Sequence, residues 1–103
     1  MLTGYVKLAS IGDVKPGSMM HVEVKGQKVL LANVNGNYYA IGDVCMHRGC
    51  QLSKGELEGE TVICPCHGSI YDLSTGNFLK GPTKKGEPRY DLKVEGSDIM
   101  ANL

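Results

Sequence analysis

The stretch CPCHGS (64–69) places two cysteines and one histidine within four positions. It lies between two short β-prone runs, ETVIC (60–64) and SIYD (69–72), and therefore falls in a connection between strands. Upstream, CMHRGC (45–50) brings together two more cysteines and another histidine. Cysteine and histidine side chains bind soft and borderline metal ions, so the two segments together predict a metal centre held between two loops.

Length and charge limit the class of protein. The chain has 103 residues, enough for one small domain with a modest core. Eleven basic and eleven acidic side chains cancel, so the composition does not favour nucleic-acid binding or attachment to a membrane surface. The N-terminal residues lack a charged segment followed by a long apolar run, which predicts neither a signal peptide nor a membrane span. We expect a soluble, cytoplasmic protein.

The number of cysteines adds a second constraint. Four cysteines in a chain of this length are typical of a secreted, disulfide-rich domain. No export signal is recognised, however, and each cysteine pair is accompanied by a histidine. Both observations favour metal binding or redox chemistry.

Alternating polarity predicts an antiparallel β domain. In SMMHVEVKG (18–26) Met20, Val22 and Val24 share one face, and His21 alternates outward as an expected surface residue. Asn35-Gly36 is the strongest hairpin signal. It separates KVLLANV from NYYAIG. Later β-prone runs are ETVIC (60–64), SIYD (69–72), RYDLKVEG (89–96) and DIMANL (98–103).

Two stretches interrupt this pattern. Residues 45–60 begin with the first Cys/His cluster and show no strand or helix period. Residues 80–89 (KGPTKKGEPR) contain two prolines and resemble a second loop. We therefore predict one β domain, residues 1–103, with a Cys/His-rich excursion in its middle.

The two clusters supply a complete set of four metal ligands. Cys45-x-His47 and Cys64-x-x-His67 are separated by residues 48–63. One or two intervening residues place both side chains of a pair on the same side of a tight loop. Two thiolates and two imidazoles suit structural zinc well, so ligand identity alone leaves a zinc-stapled interaction module as an alternative.

In these two motifs the sequence resembles the Rieske iron–sulfur proteins, whose pattern is C-x-H followed by C-x-x-H. The resemblance covers CMHRGC, CPCHGS, the flanking strands and the proline-bearing loop, and so nearly the whole chain. It implies an all-β fold, a Rieske-type antiparallel β-sandwich or barrel with a small inserted cluster-binding subdomain. The cluster-binding loops would span about 43–72 and the proline loop about 80–89.

The resemblance also implies one [2Fe–2S] cluster per chain, with Cys45 and Cys64 on one iron and His47 and His67 on the other. The oxidised core carries two positive charges, so two thiolates leave a neutral site, whereas four would leave a dianion. A neutral site accepts an electron more readily. Rieske centres accordingly have potentials of roughly −150 to +300 mV, against about −400 mV for plant-type ferredoxins.

Four further residues match positions of the high-potential branch of this family. Cys50 and Cys66 stand where the Rieske proteins of cytochrome bc-type complexes carry a disulfide, which implies such a bond here; two buried free thiols are the alternative. Ser69 and Tyr71 stand where hydroxyl groups hydrogen-bond to a bridging sulfide and to a ligating cysteine sulfur, which raises the potential. Iron-bound histidines lose a ring proton more readily, so electron uptake should be coupled to proton uptake.

Other residues depart from that branch or remain open. Arg48 stands where the cytochrome bc branch has an apolar leucine; arginine is more like oxygenase-type Rieske proteins and would suit an acidic redox partner, although a solvated loop residue is as reasonable. Pro82 resembles the start of the family's proline loop and is a second docking candidate. Asp43 and Asp72 are interpreted as turn or surface residues.

The favoured function is that of a soluble Rieske-type ferredoxin, a monomeric one-electron carrier. It is not expected to be an enzyme, since no residue set resembles a nucleophile with its base. The implied partners are a reductase and an acceptor such as an oxygenase. The alternative is an electron-transfer subunit or domain of a larger oxidoreductase, either an oxygenase or a quinol-oxidising complex.

Overall fold

The computed structural model describes residues 5–44, 50–66, 68–80 and 86–102. Within these ranges the chain forms eleven strands and one short 3₁₀ helix, and the all-β class predicted from the sequence is confirmed. The elements in chain order are β1 (Tyr5–Ser10), β2 (Ser18–Val24), β3 (Gln27–Val34), β4 (Asn37–Gly42), the 3₁₀ helix (Leu52–Lys54), β5 (Glu56–Glu58), β6 (Thr61–Ile63), β7 (Ile70–Asp72), β8 (Phe78–Lys80), β9 (Arg89–Tyr90), β10 (Leu92–Glu95) and β11 (Asp98–Asn102).

The described strands form three antiparallel sheets. The first has the order β1-β11-β10, the second β2-β3-β4-β9 and the third β5-β6-β7-β8. Strand β4 pairs directly with β9, although residues 43–88 separate them in sequence. The third sheet therefore arises entirely within an insertion between two neighbouring strands of the second sheet, and the CPCHGS turn joins its strands β6 and β7.

Two tight turns fix the register of the second sheet. Asn35 and Gly36 both have positive φ, 54° and 89°, and link β3 to β4 as the sequence predicted. Lys25 and Gly26 link β2 to β3 in the same way, with φ values of 55° and 77°. A two-residue turn with positive φ at both positions matches the right-handed twist of paired strands, which explains the glycine at its second position.

Strand β3 separates two hydrophobic cores, because successive side chains of a strand point to opposite faces. The first core lies between the second and third sheets and comprises Leu30, Ala32, Val34, Ile41, Leu52, Val62, Cys64, Tyr71 and Leu73. The second core lies between the second and first sheets and comprises Leu8, Ala9, Val14, Val29, Leu31, Ala40, Ile99 and Ala101. The second sheet is thus the middle layer of the protein.

The faces predicted for β2 agree with this layering. Met20, Val22 and Val24 pack against the second core, whereas Met19 packs against the first. His21 lies on the same face as Met19, and its side chain is 30% exposed, so it reaches the surface as predicted but also makes a contact that the sequence did not predict. Its contact is described with the site below.

Three strands were not predicted. Strand β1 contains a register shift between Lys7 and Ala9, which breaks the alternation that sequence patterns detect. Strands β5 and β8 have only three residues each, too few for a period to be recognised. The predicted run 89–96 divides into two strands at Asp91, since β9 pairs with β4 and β10 pairs with β11.

Candidate metal centre

The two Cys/His segments are joined covalently. The predicted disulfide between Cys50 and Cys66 is present, with a Cα–Cα distance of 6.4 Å across a sequence separation of 16 residues. In a chain-entropy model a bond that closes a loop of this length stabilises the fold by about 3 kcal/mol. Cys50 follows the first motif and Cys66 lies within the second, so the bond holds the two loops together.

Cys64 lies against this bond in the interior. Its side chain is 2% exposed and belongs to the first core. The sulfur atoms of Cys50, Cys64 and Cys66 all lie within 4.8 Å of one another. A thiolate in this position is shielded from water, and its place is set by the packing of the core rather than by the loop alone.

The turn that follows Cys64 is closed by its own backbone. Both backbone polar groups of Cys64 are hydrogen-bonded. Its N–H donates to the carbonyl of Ser69 (2.7 Å), and its carbonyl accepts from the N–H of Gly68 (3.1 Å). Gly68 has a φ of 75°, which a residue with a side chain adopts only with strain. These two hydrogen bonds hold Cys64 next to Gly68 and Ser69 at the end of the third sheet.

Two hydroxyl side chains beside this turn are buried. Ser69 is 0% exposed, and its Oγ has no hydrogen-bond partner among the described residues. Tyr71 is also 0% exposed and meets Phe78 edge to face, with 6.3 Å between ring centroids. A buried hydroxyl without an acceptor costs free energy, so Ser69 Oγ requires a partner that the described residues do not supply.

Several predicted site residues lie outside the described residues. They are Cys45, His47, Arg48, His67 and Pro82. The residues that flank the first motif are described, however: Val44 and Gln51 form an isolated antiparallel bridge. The two ends of the segment between them are therefore held side by side.

The residue before this bridge was misjudged from the sequence. Asp43 was expected in a turn or on the surface, but it is 0% exposed. Its carboxylate accepts hydrogen bonds from the backbone N–H of Ser53 and from His21 Nδ1, at 2.6 and 2.5 Å. The partners lie ten and 22 positions away, and no pattern in the sequence connects them. Asp72, by contrast, caps a local turn as expected, accepting from the N–H of Ser74 at 2.8 Å.

The last residues of the predicted proline loop pack against Gly42, which directly precedes Asp43. The carbonyl of Pro88 accepts from the N–H of Gly42 (2.9 Å), and the N–H of Glu87 donates to the carbonyl of Gly76 (2.7 Å). A Cβ at position 42 would lie 2.7 Å from Glu87 Oε1 and 3.0 Å from the ring of Pro88, so the two segments pack closely at Gly42. Burial and then the charge of Glu87 raise the pKa of neighbouring Tyr90.

These features fit an iron–sulfur cluster better than a bare metal ion. Cys64 offers a buried soft ligand, and the disulfide brings the second motif to the first. Ser69 Oγ can donate to a bridging sulfide or to a cysteine sulfur of such a cluster, whereas in a zinc site only the cysteine sulfurs could accept its proton. The fold and the site thus define a small β protein that holds a redox-active centre between two loops.

Comparison with known proteins agrees with this class. A family model for the Rieske [2Fe-2S] domain matches residues 4–94, and the chain belongs to that family. It is 31% identical over 103 residues to the ferredoxin component of the naphthalene 1,2-dioxygenase/salicylate 5-hydroxylase systems of Ralstonia sp., covering 100% of this chain and 99% of that protein.

Solved structures give the same result. The ferredoxin of carbazole 1,9a-dioxygenase from Nocardioides aromaticivorans IC177 superposes with a TM-score of 0.91 at 28% identity, covering 96% of this chain and 97% of that one. One chain of the complex of reduced oxygenase and oxidised ferredoxin in carbazole 1,9a-dioxygenase gives a TM-score of 0.89 at 25% identity, covering 95% of this chain and 92% of that one.

The predicted family, fold class, cofactor and function as an electron carrier are therefore confirmed, whereas the high potential and the proton coupling stay predictions. The chain is a Rieske-type ferredoxin, an electron-transfer protein that carries one [2Fe–2S] cluster. In the part of the chain that the structure describes, no helix is long and apolar enough to cross a membrane.

The disulfide yields a prediction about thiol content. Denatured, cluster-free protein that has not been reduced should contain two thiols that react with a thiol reagent, Cys45 and Cys64, and four after reduction. Cys50→Ser is the control, because it frees Cys66 and should give three thiols without reduction. Four reactive thiols in the unreduced wild-type protein would show that the bond does not form.

Proposed function

We propose that this ferredoxin is a soluble, cytoplasmic carrier that passes single electrons from a reductase to an oxygenase-type acceptor. The observation that carries the proposal is the end-to-end similarity to the ferredoxin component of a dioxygenase system. The solved complex of an oxygenase with a similar ferredoxin supports the same class of acceptor. No nucleic-acid partner is proposed, and the carrier is expected to be a monomer.

The proposed ligands are those of the family pattern. Cys45 and Cys64 bind one iron, and His47 and His67 bind the other. The burial of Cys64 and its position beside the disulfide support this assignment for the one ligand that the structure describes. When bound, the cluster supplies a site that stores one electron; the protein holds it, excludes water from Cys64 and tunes its potential.

The proposed domain organisation follows the sheet topology. Residues 1–103 form one Rieske domain, in which the cluster-binding loops occupy about 43–72 and the proline loop about 80–89. The pairing of β4 with β9 around residues 43–88 supports the insertion of these loops between two neighbouring strands of the second sheet. Arg48 and Pro82 are proposed to contact the redox partners.

A second function is favoured by one observation, the disulfide. By resemblance this bond is a mark of quinol-oxidising complexes, so the chain could serve as the electron-transfer subunit of a larger oxidoreductase. The two functions differ on native purification. A stable complex with larger subunits supports the subunit, whereas a free monomer supports the ferredoxin.

Redox titration across pH tests the proposed function. The purified protein should take up one electron, with visible absorption that bleaches and an electron-resonance signal that appears on reduction. The potential should fall as the pH rises through the neutral to alkaline range, because protons leave the iron-bound histidines of the oxidised form more readily. A colourless protein would contradict the function, and a potential that does not change with pH would contradict the proposed histidine ligands.

Ser69 and Tyr71 are proposed to raise the potential by hydrogen bonds that stabilise the reduced cluster. Ser69→Ala and Tyr71→Phe should therefore each lower the midpoint potential while the cluster stays bound. A hydrogen bond to a charged group contributes about 1.5–3 kcal/mol, which is equivalent to about 65–130 mV for a one-electron couple. This value is the upper bound of the decrease in midpoint potential expected for each substitution.

Two matched variants serve as controls for these substitutions. Ser18→Ala removes an exposed hydroxyl that donates to the carbonyl of Lys15, and Tyr38→Phe removes one that donates to the carbonyl of Ile11. Neither control should change the potential. If the wild-type protein and both site variants had equal potentials, Ser69 and Tyr71 would not raise the potential of the cluster.

A further inference from the structure

We propose that His21 and Asp43, together with Ser53, form a hydrogen-bonded clasp that positions the first cluster-binding loop. The clasp is a group of positioning residues, since none of them is proposed to touch the cluster. The inference rests on the proposed function, in which the loop 45–50 provides Cys45 and His47 as ligands.

Asp43 is the centre of the clasp. Its side chain is 0% exposed, a position in which an unpaired carboxylate would be strongly unfavourable. Three donors compensate its charge: the N–H of Ser53 to Oδ1 and the hydroxyl of Ser53 to Oδ2, both at 2.6 Å, and His21 Nδ1 to Oδ2 at 2.5 Å. Charge-assisted hydrogen bonds of this kind are short, and they fix the orientation of the groups that form them.

The same residue connects the two ends of the loop. Asp43 lies two positions before Cys45, and Ser53 lies three positions after Cys50. The backbone of Asp43 adds two bonds, from its N–H to the carbonyl of Lys28 (3.0 Å) and from the N–H of Leu52 to its carbonyl (3.2 Å). Asp43 therefore connects the start of the loop to its return through its side chain and its carbonyl, and to the neighbouring strand β3 through its backbone N–H.

Ser53 extends the contact along the returning chain. Its hydroxyl donates to Asp43 and accepts from Gln51 Nε2 at 2.9 Å. Gln51 also forms the backbone bridge with Val44. His21 and Ser53 both bond to the carboxylate rather than to each other, so the arrangement orients a loop and does not form a nucleophile with its base.

His21 anchors the clasp to the second sheet. It belongs to β2, and its side chain is 30% exposed, so it can be replaced without opening the core. The disulfide fixes the far end of the loop at Cys50 and relates it to the second loop. The clasp fixes the near end at Asp43 and relates it to the sheet. The two constraints together hold both ends of the segment that carries the proposed ligands Cys45 and His47.

Four single variants of the cluster-loaded protein test the clasp. His21→Leu and Ser53→Ala remove a donor, His21→Asn keeps a donor close to the position of Nδ1, and Ser18→Ala is the matched serine control on the outer surface. The rate at which an iron chelator bleaches the visible absorption measures how firmly the loop holds the cluster. The electron-resonance spectrum of the reduced protein reports ligand geometry, which a loss of general stability alone would not change.

Residues that support metal ligands typically contribute ten- to hundredfold to metal retention, so His21→Leu and Ser53→Ala should bleach roughly ten- to hundredfold faster, with shifted or broadened resonances. His21→Asn should restore most of the retention, and Ser18→Ala should match the wild-type protein. Wild-type rates and spectra in His21→Leu, or equal behaviour of His21→Leu and His21→Asn, would overturn the clasp. A wild-type protein without a Rieske spectrum would overturn the proposed function as well.

Discussion

The disulfide between Cys50 and Cys66 is the constraint on which the rest of the site depends. It joins two chain segments that belong to different structural elements: Cys50 follows the loop that leaves the second sheet, and Cys66 lies in the turn between two strands of the third sheet. Without that connection, the relative position of the two ligand-bearing loops would rest on side-chain packing and hydrogen bonds alone. A cluster that bridges both loops needs them at a fixed separation.

The core provides the second part of this rigidity. Cys64 and Tyr71 belong to the first core, in which they pack with residues of the second sheet such as Leu30 and Ile41. Because protein interiors are packed as densely as organic crystals, a displacement of one residue in this core would disturb its neighbours. The third sheet therefore positions buried groups of the site in addition to its loop. Its strands carry the buried thiol and the buried hydroxyl of Ser69 to the place where the two loops meet.

The sequence allowed accurate prediction wherever local chemistry is sufficient. The alternation of β2 identified the face that carries Met20, and Asn35-Gly36 identified the turn after β3, because both signals lie within a few residues. The positions of Cys50 and Cys66 in the family pattern identified the disulfide. Strands β5 and β8 were missed because their stability comes from neighbouring strands rather than from their own three residues.

The roles of His21 and Asp43 could not be predicted for a different reason. Neither residue belongs to a recognisable motif in the sequence, and the hydrogen bond between them exists only once β3 has paired with both β2 and β4. The ligands Cys45, His47 and His67 present the opposite case: their pattern is clear in the sequence and they lie outside the described residues, so they remain a prediction.

Mössbauer spectroscopy of protein loaded with ⁵⁷Fe tests the central claim, that two loops hold one cluster with cysteine on one iron and histidine on the other. The oxidised protein should show two quadrupole doublets of equal area and different isomer shift, and reduction should convert one of them, that of the histidine-bound iron, to the ferrous form. Two equivalent irons, or a protein that binds no iron pair, would contradict the account.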